Sequence, residues 1–226
     1  MHPSAHLIDD VFQWDVLNWS KALPLWQRYL PPGPDLVALT VGEREGGLSL
    51  WLATHGVRVT CTDVVEFAPS TRALHERNRV PELITYEQAD ATALPYPDDA
   101  FDIVMFKSVL GDLTTKLRQQ RAVDEFRRVL RPRGLLMFAE NLTATRLHQI
   151  LRKRFVRWNA SWRYLDLIKD QDLFESFTSF DWRTHGFLGL LGRTERQRRF
   201  LGRIDAVLSK MVPPSSRYIL FGVCRK

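Results

Sequence analysis

Cysteine is scarce: two in 226 residues, Cys61 and Cys224, each inside an apolar run that reads as a strand. Such a pair reads as buried thiols rather than a disulfide or a metal site, so a reduced, cytoplasmic protein with no bound metal is expected. No apolar stretch approaches the length of a membrane span. The opening MHPSAHLIDDVFQWD has no basic segment followed by an apolar one, and no secretory signal is expected. Repeats and low-complexity tracts are absent from the sequence. What is present is ordinary for a globular protein, 45% apolar and 26% charged residues, and the chain is long enough for one domain with a sizeable core. Acid is short in the second half. Residues 113–226 hold 10 Asp/Glu against 24 Lys/Arg, whereas residues 1–112 hold 16 against 8. Solvated helix faces account for part of that basic excess; the remainder suits an anionic partner such as a phosphorylated substrate, a lipid surface or nucleic acid.

Apolar runs and helical patterns alternate along residues 35–141. A helical region over 7–30, with Ser20 as an N-cap, ends at PPGPD (31–35). Strands are expected at 36–41, 57–63, 82–90, 101–107 and 134–141. Helices over 46–55, 69–79 and 115–130 separate them, the first closing on Gly56. Five such alternations with short connections specify a doubly wound, Rossmann-like α/β sheet, whose ligands sit beyond the C-terminal ends of the strands. Gly42, Asp63, Asp90, Lys107 and Glu140 fall at those ends. Later come an amphipathic helix over 144–158, a helix over 169–177, a strand over 178–188, a basic helix over 194–211 and a last strand over 217–224 that pairs antiparallel at or near a sheet edge.

The stretch VALTVGEREGGLSLW (37–51) has the outline of a nucleotide loop, with Gly42, Gly46 and Gly47 between a strand and a helix. Asp63 follows 21 residues after Gly42, near the spacing of about 20 for a ribose-binding acid. Either a nicotinamide dehydrogenase or another nucleotide binder satisfies those two features, and a helix N-cap is the structural alternative for Asp63. The later segments narrow the choice. EQADATALPYPDDAFDIVMFKSVLGDL, followed by AVDEFRRVLRPRGLLMFAE, resembles class I S-adenosylmethionine-dependent methyltransferases.

That resemblance covers residues 35–141 and, more loosely, the remainder, where WRYLDL and RYILFGV look like small-molecule and glycan methyltransferases. It implies a seven-stranded sheet, parallel except for the last strand, with a helical lid inserted after the fifth strand. It also implies S-adenosyl-L-methionine as cofactor. Asp63 and Val64 would hold the ribose end, and Asp90 and Ala91 the adenine. Gly42, Glu43, Gly46 and Lys107 would lie along the remainder. The departure is in the loop, where the family has an acid and alternating glycines: Thr40 replaces the acid and Arg44 the middle glycine, which normally lets the backbone approach the cofactor. Glu43 or Glu45 could supply the negative group for the cofactor's ammonium. A cation beside a sulfonium is unfavourable, so Arg44 is expected to point outward; pairing with Glu43, Glu45 or a substrate phosphate is the other reading.

The implied reaction is methyl transfer to a small-molecule, glycan or lipid-linked acceptor, most simply to a hydroxyl, with an anionic acceptor suited to the basic second half. His148, Glu140 and His185 are the candidate bases. Each has a structural alternative: surface or lid packing for the histidines, loop orientation for Glu140. Trp19, Arg157, Arg163 and Tyr164 are candidate substrate contacts, against plain packing roles. RLHQILRKRFVRWNASWRY (146–164) interleaves basic and aromatic residues. It reads first as a lid, second as a peripheral contact with the inner face of a membrane through 144–158, and last as a nucleic-acid surface. The whole is one domain: an N-terminal helical cap (1–34), a cofactor-binding core (35–141), the lid (142–168) and C-terminal helices and strands (169–226). A non-catalytic methyltransferase-like binding protein is the alternative function, motivated by Thr40 and Arg44.

Overall fold

A computed structural model describes residues 5–33, 35–155 and 161–226. Seven strands form one sheet in the order β3-β2-β1-β4-β5-β7-β6. They are β1 (Val37–Val41), β2 (Arg58–Asp63), β3 (Ile84–Gln88), β4 (Phe101–Lys107), β5 (Leu130–Asn141), β6 (Ser179–His185) and β7 (Ile219–Arg225). The pairs β1/β2, β2/β3, β1/β4 and β4/β5 run parallel, and β7 runs antiparallel between β5 and β6. The last strand is therefore one place in from the edge, and it alone is reversed. Order reverses between β1 and β4, the crevice where doubly wound sheets bind ligands.

β1, β4 and β7 are buried on both faces, which is why they read as near-continuous apolar runs, whereas the edge strands β3 and β6 are largely half-buried or exposed and more polar. Ala38, Val59, Cys61, Ile103, Met105 and Met137 pack on one face. That face is covered by α1 (Ala5–Phe12), α2 (Val16–Trp19), α3 (Leu23–Tyr29), α4 (Gly47–Ala53) and α5 (Pro69–Arg77). Leu39, Val104, Phe106, Leu136, Phe138 and Cys224 pack on the other, under α6 (Lys116–Val129). The two cysteines are free thiols on opposite faces. After β5 comes α7 (Arg146–Phe155), and between β6 and β7 lies α8 (Glu195–Met211) with a Thr194/Gln197 capping box. No helix among the described residues is long and apolar enough to cross a membrane.

Two local expectations are corrected. The N-terminal helical region is broken at Gln13 and Asp15, both at positive φ. Ser20 starts no new helix; it lies in a 3₁₀ turn, and its hydroxyl donates to the Leu17 carbonyl at 3.3 Å. The cause of the break is distant: Glu195 accepts from the backbone N–H of Asp15 (2.9 Å) and Val16 (3.1 Å). The Asp15 side chain is buried against Tyr218 and Asn18, and burial pushes its pKa up to about 7. Residues 169–177 hold only a 3₁₀ turn, Gln171–Phe174. There the Asp170 carboxylate takes the Asp166 N–H (2.8 Å) and Arg163 (2.7 Å), fixing a loop in place of a helix.

Candidate active site

Gly42 ends β1 at a φ of 68°, and a Cβ there would come within 2.4 Å of the Val109 side chain. Glu43 turns inward. Its Oε2 accepts from the Ser49 N–H at 2.9 Å and Ser49 Oγ at 3.1 Å, so the loop supplies its own anion to the first turn of α4. Ser49 also shares a 2.6 Å hydrogen bond with Thr40, the residue standing in the acid's place. Burial pushes Glu43 up to about 7, opposed by the Ser49 N–H and by Lys107. Glu45 stays exposed and is the carboxylate left facing outward in this loop.

The loop is pinned from α5. Thr71 Oγ1 donates to the Arg44 carbonyl at 2.9 Å, and buried His75 bridges the Gly46 carbonyl (2.8 Å) and the Tyr86 hydroxyl (2.6 Å). Gly46 has a φ of 73° and presses against His75 and Thr71. Gly47 abuts the Val11 carbonyl of α1, where a Cβ would sit at 2.1 Å. Arg44 is exposed, carries no positive φ and forms no ion pair among the described residues. Its side chain points outward, as expected. Arg44→Gly should therefore shift S-adenosylhomocysteine affinity by less than about threefold in calorimetry. It should cost roughly 0.5–1 kcal/mol of stability through added chain freedom.

Asp63 ends β2, nearly buried. Its Oδ1 accepts from the Val65 N–H at 3.1 Å, and its Oδ2 has no hydrogen bond among the described residues. It does not cap a helix: α5 starts at Pro69. Val64 beside it is 68% exposed, a large apolar side chain facing solvent at a strand end. Beyond β3, the exposed Asp90 is tied by its Oδ1 to the N–H and hydroxyl of Thr92, both at 2.8 Å, bonds that hold its pKa below the usual range. Ala91 is buried alongside. A free carboxylate oxygen, an exposed apolar surface and a second oriented carboxylate thus line up along the ends of β1, β2 and β3. That set fits the hydroxyls and flat base of an adenosyl group.

Lys107 ends β4. Its Nζ donates to the Phe12 carbonyl at 3.2 Å and lies 5.6 Å from the Trp19 ring. Burial lowers its pKa, against the pull of Glu43, Glu45 and Glu140. Trp19 is 1% exposed, so it walls this corner from the cap rather than reaching toward solvent.

Two of the three candidate bases are engaged elsewhere, and the third lies far from the loop. Glu140 is fully buried; Oε2 accepts from the Leu110 N–H and Oε1 from that of Asn141, both at 2.8 Å, so it organises the turn at 110–113. Burial pushes it up to about 7, while the N–H groups of Asn141, Leu110, Gly111 and Val109 favour the carboxylate. His148 is buried with Nδ1 on the Thr145 hydroxyl (2.6 Å) and Nε2 on the Phe187 carbonyl (2.7 Å), leaving neither nitrogen free. His185 ends β6, the sheet edge, four strands from β1; at about 4.8 Å per strand that is roughly 19 Å away. Burial pushes its pKa down to about 4.

Of the substrate candidates, Arg163 ion-pairs with Asp170 at 2.7 Å and bonds Gln119, anchoring the later part of the lid segment to α6. Tyr164 is half-buried beneath the Arg152 guanidinium, 4.0 Å from its ring centre. Arg157 lies outside the described residues. Ser49, Thr71, His75 and Arg152 were not singled out from sequence. Thr71 and His75, four apart on one face of α5, carry the one signal that could have been read. No group of three or more His, Cys, Asp or Glu capable of holding a metal occurs among the described residues.

The sheet order, the loop after β1 and the acids after β2 and β3 are those of a methyltransferase domain, and residues 39–138 match the methyltransferase domain family. The match over residues 39–138 and the sheet order support a class I S-adenosylmethionine-dependent methyltransferase. Among curated relatives, a ubiquinone/menaquinone biosynthesis C-methyltransferase, UbiE, from Ruegeria sp. is 28% identical over 157 residues, 62% of this chain and 60% of that one. An uncharacterized protein of Haemophilus influenzae is 31% identical over 116 residues, 51% of this chain and 45% of that one. The chain thus spans about half to three-fifths of the length of these relatives. Of solved structures, phosphoethanolamine N-methyltransferase 2 of Haemonchus contortus, in complex with S-adenosyl-L-methionine, superposes with a TM-score of 0.65 at 14% identity. That match covers 92% of this chain and 52% of that one. The YcgJ protein of Bacillus subtilis gives 0.64 at 15% identity, covering 91% and 98%. At these identities the likeness is one of fold.

Proposed function

We propose that this protein transfers the methyl group of S-adenosyl-L-methionine to a hydroxyl of an anionic, small-molecule or lipid-linked acceptor. The observation carrying the cofactor half is the alignment of Gly42, Asp63, Val64 and Asp90 along one end of the sheet. The bound cofactor supplies an electrophilic methyl on a sulfonium. The residues of this chain orient the nucleoside, exclude water and handle the acceptor's proton. In-line displacement needs no metal to balance it: the acceptor oxygen gains the methyl, the sulfonium becomes a thioether, and the hydroxyl proton leaves.

Lys107 is the base in this reading. It stands at the end of β4, next to the switch point, and burial has already lowered the cost of holding it as a neutral amine. In the sequence it was placed only along the cofactor; its surroundings support the proton-handling role as well. Turnover should rise with pH as Lys107 loses its proton, and level off below the usual lysine range near 10.4.

An amphiphilic acceptor, or a membrane that carries one, suits the outer surface. Leu147 and Ile150 on α7 are 56% and 63% exposed beside Arg146, Lys153 and Arg154. Phe200, Ile204, Val207 and Met211 leave a second apolar row exposed on α8, flanked by Arg196, Arg203 and Lys210. The non-catalytic alternative drew on Thr40 and Arg44; Thr40 hydrogen-bonds Ser49 within the loop, and the exposed Arg44 gives no support to an obstructed pocket. Conversion of S-adenosyl-L-methionine to S-adenosylhomocysteine, followed with phenols and alcohols bearing phosphate or carboxylate groups, tests the proposal. Turnover on those and not on their neutral analogues is expected; turnover confined to amines would contradict it.

A further inference from the structure

Arg152 is among the largest fully buried side chains of the protein, 1% exposed in the middle of α7. Its Nη1 donates to the Leu142 carbonyl at 2.6 Å and contacts that of Thr143 at 3.4 Å; its Nη2 has no hydrogen-bond partner among the described residues. No carboxylate pairs with it among the described residues, and residues 156–160 (VRWNA) contain none. Burial lowers its pKa to about 10, with Tyr164 and Tyr218 pulling the other way. Leaving a guanidinium buried without a counter-charge costs several kcal/mol, so structural needs alone select against it. Arg128 and Arg163, both more exposed, have carboxylate partners: Arg128 pairs with Glu125 and Asp98, and Arg163 with Asp170.

Tyr164 covers the guanidinium face, and 6.2 Å from that ring stands Trp162, whose indole N–H is also buried without a partner. Trp162 presses on Gly111, in the turn that Glu140 holds between the ends of β4 and β5. The Glu140 charge acts on Tyr164, as it does on Lys107. The carbonyls that Arg152 holds, Leu142 and Thr143, follow directly on the C-terminal end of β5, the strand paired with the end of β4 that carries Lys107.

We infer that Arg152, with Tyr164 as a half-buried cover, is the receptor for an anionic oxygen group of the acceptor, a phosphate or a carboxylate. The guanidinium fork is the side chain best suited to two such oxygens. This inference rests on the methyltransferase reading only for the identity of the acceptor; the anion site stands on the unpaired cation itself.

The test is a set of thermal melts of the full chain in sodium chloride, sodium phosphate and sodium acetate at matched ionic strength. Wild type, Arg152→Met, Arg152→Lys and the exposed control Arg154→Met are compared. Removing an uncompensated buried charge should raise the Tm of Arg152→Met in chloride by a few degrees. One of the two anions should stabilise wild type and Arg154→Met, and which one does so identifies the group. That anion should bind Arg152→Met at least tenfold more weakly and Arg152→Lys to an intermediate extent. A structural role would instead lower the Tm of Arg152→Met and leave the anion response equal to that of wild type in the variants that fold, which overturns the proposal. The melt is repeated with S-adenosylhomocysteine. Stabilisation of Arg152→Met by that ligand equal to wild type is expected, whereas its absence from wild type sinks the methyltransferase reading and leaves the anion result intact.

Discussion

Asp63→Ala is expected to weaken S-adenosylhomocysteine binding about 100-fold while the protein stays folded. Asp63 closes β2 with one carboxylate oxygen on the Val65 N–H and the other unbonded among the described residues. A ribose diol donates two hydrogen bonds to such a carboxylate, and each bond to a charged group contributes roughly 1.5 kcal/mol or more. Losing both is about 3 kcal/mol, or roughly two powers of ten. Among the described residues the internal side-chain bond lost is the one to Val65, so the unliganded Tm should fall by only a few degrees. Calorimetric titration of variant and wild type measures both quantities. An affinity within threefold of wild type would remove Asp63 from the ribose contact.

Lys107→Met is expected to lower kcat on a hydroxyl acceptor by about 10²–10⁴, the usual span of general base catalysis, with cofactor affinity changed by a small factor. The reasoning starts from place. Lys107 is carried to the crevice by the β4 register, Phe106 opposite Val41, and tethered there by the Phe12 carbonyl. Methionine keeps the length and apolar stem of the side chain and removes only the amine. The pH profile separates the possible roles. A base gives wild-type turnover that climbs with pH and a variant whose residual rate lacks that climb. A pure cofactor contact gives a variant with weakened S-adenosylhomocysteine binding and the wild-type pH profile. Removing the Nζ–Phe12 bond also loosens α1, so cofactor affinity and Tm are read alongside kcat.

The parallel half of the sheet was legible because burial on both faces writes a strand as an unbroken apolar run, closed by a polar residue where the chain leaves the sheet. Thr40–Gly42, Asp63 and Lys107 are such endings. Elements set by distant partners were not legible. The break at Asp15 depends on Glu195, 180 residues away, and the 3₁₀ turn at 171–174 depends on Asp170 meeting Arg163. The site divides in the same way. Position along the chain was enough to place Gly42, Asp63 and Asp90 at one end of the sheet, because strand ends converge in this fold whatever the side chains do. Chemical type alone misjudged the bases. His148 and Glu140 are titratable and well placed by topology, yet backbone groups and a threonine hydroxyl engage them. The same blindness hid Arg152 among the cations of its helix, since nothing in the sequence distinguishes a solvated arginine from a buried one.

The Arg44 substitution shows why a motif's spacing outlasts its residues. The middle glycine matters where the backbone must take a positive φ or lie against a ligand, and the turn here takes its positive φ at Gly42 and Gly46. Thr71 and His75 hold the loop by its carbonyls, which any residue provides. Arg44 is then free to face solvent.

The most direct test is isothermal titration of the unmodified protein with S-adenosylhomocysteine. A single saturable site per chain, with a Kd in the micromolar range and lost on Asp63→Ala, is the expected result. A folded protein that gives no heat and no thermal stabilisation at millimolar ligand would contradict a working cofactor site and, with it, the methyltransferase function proposed for this chain.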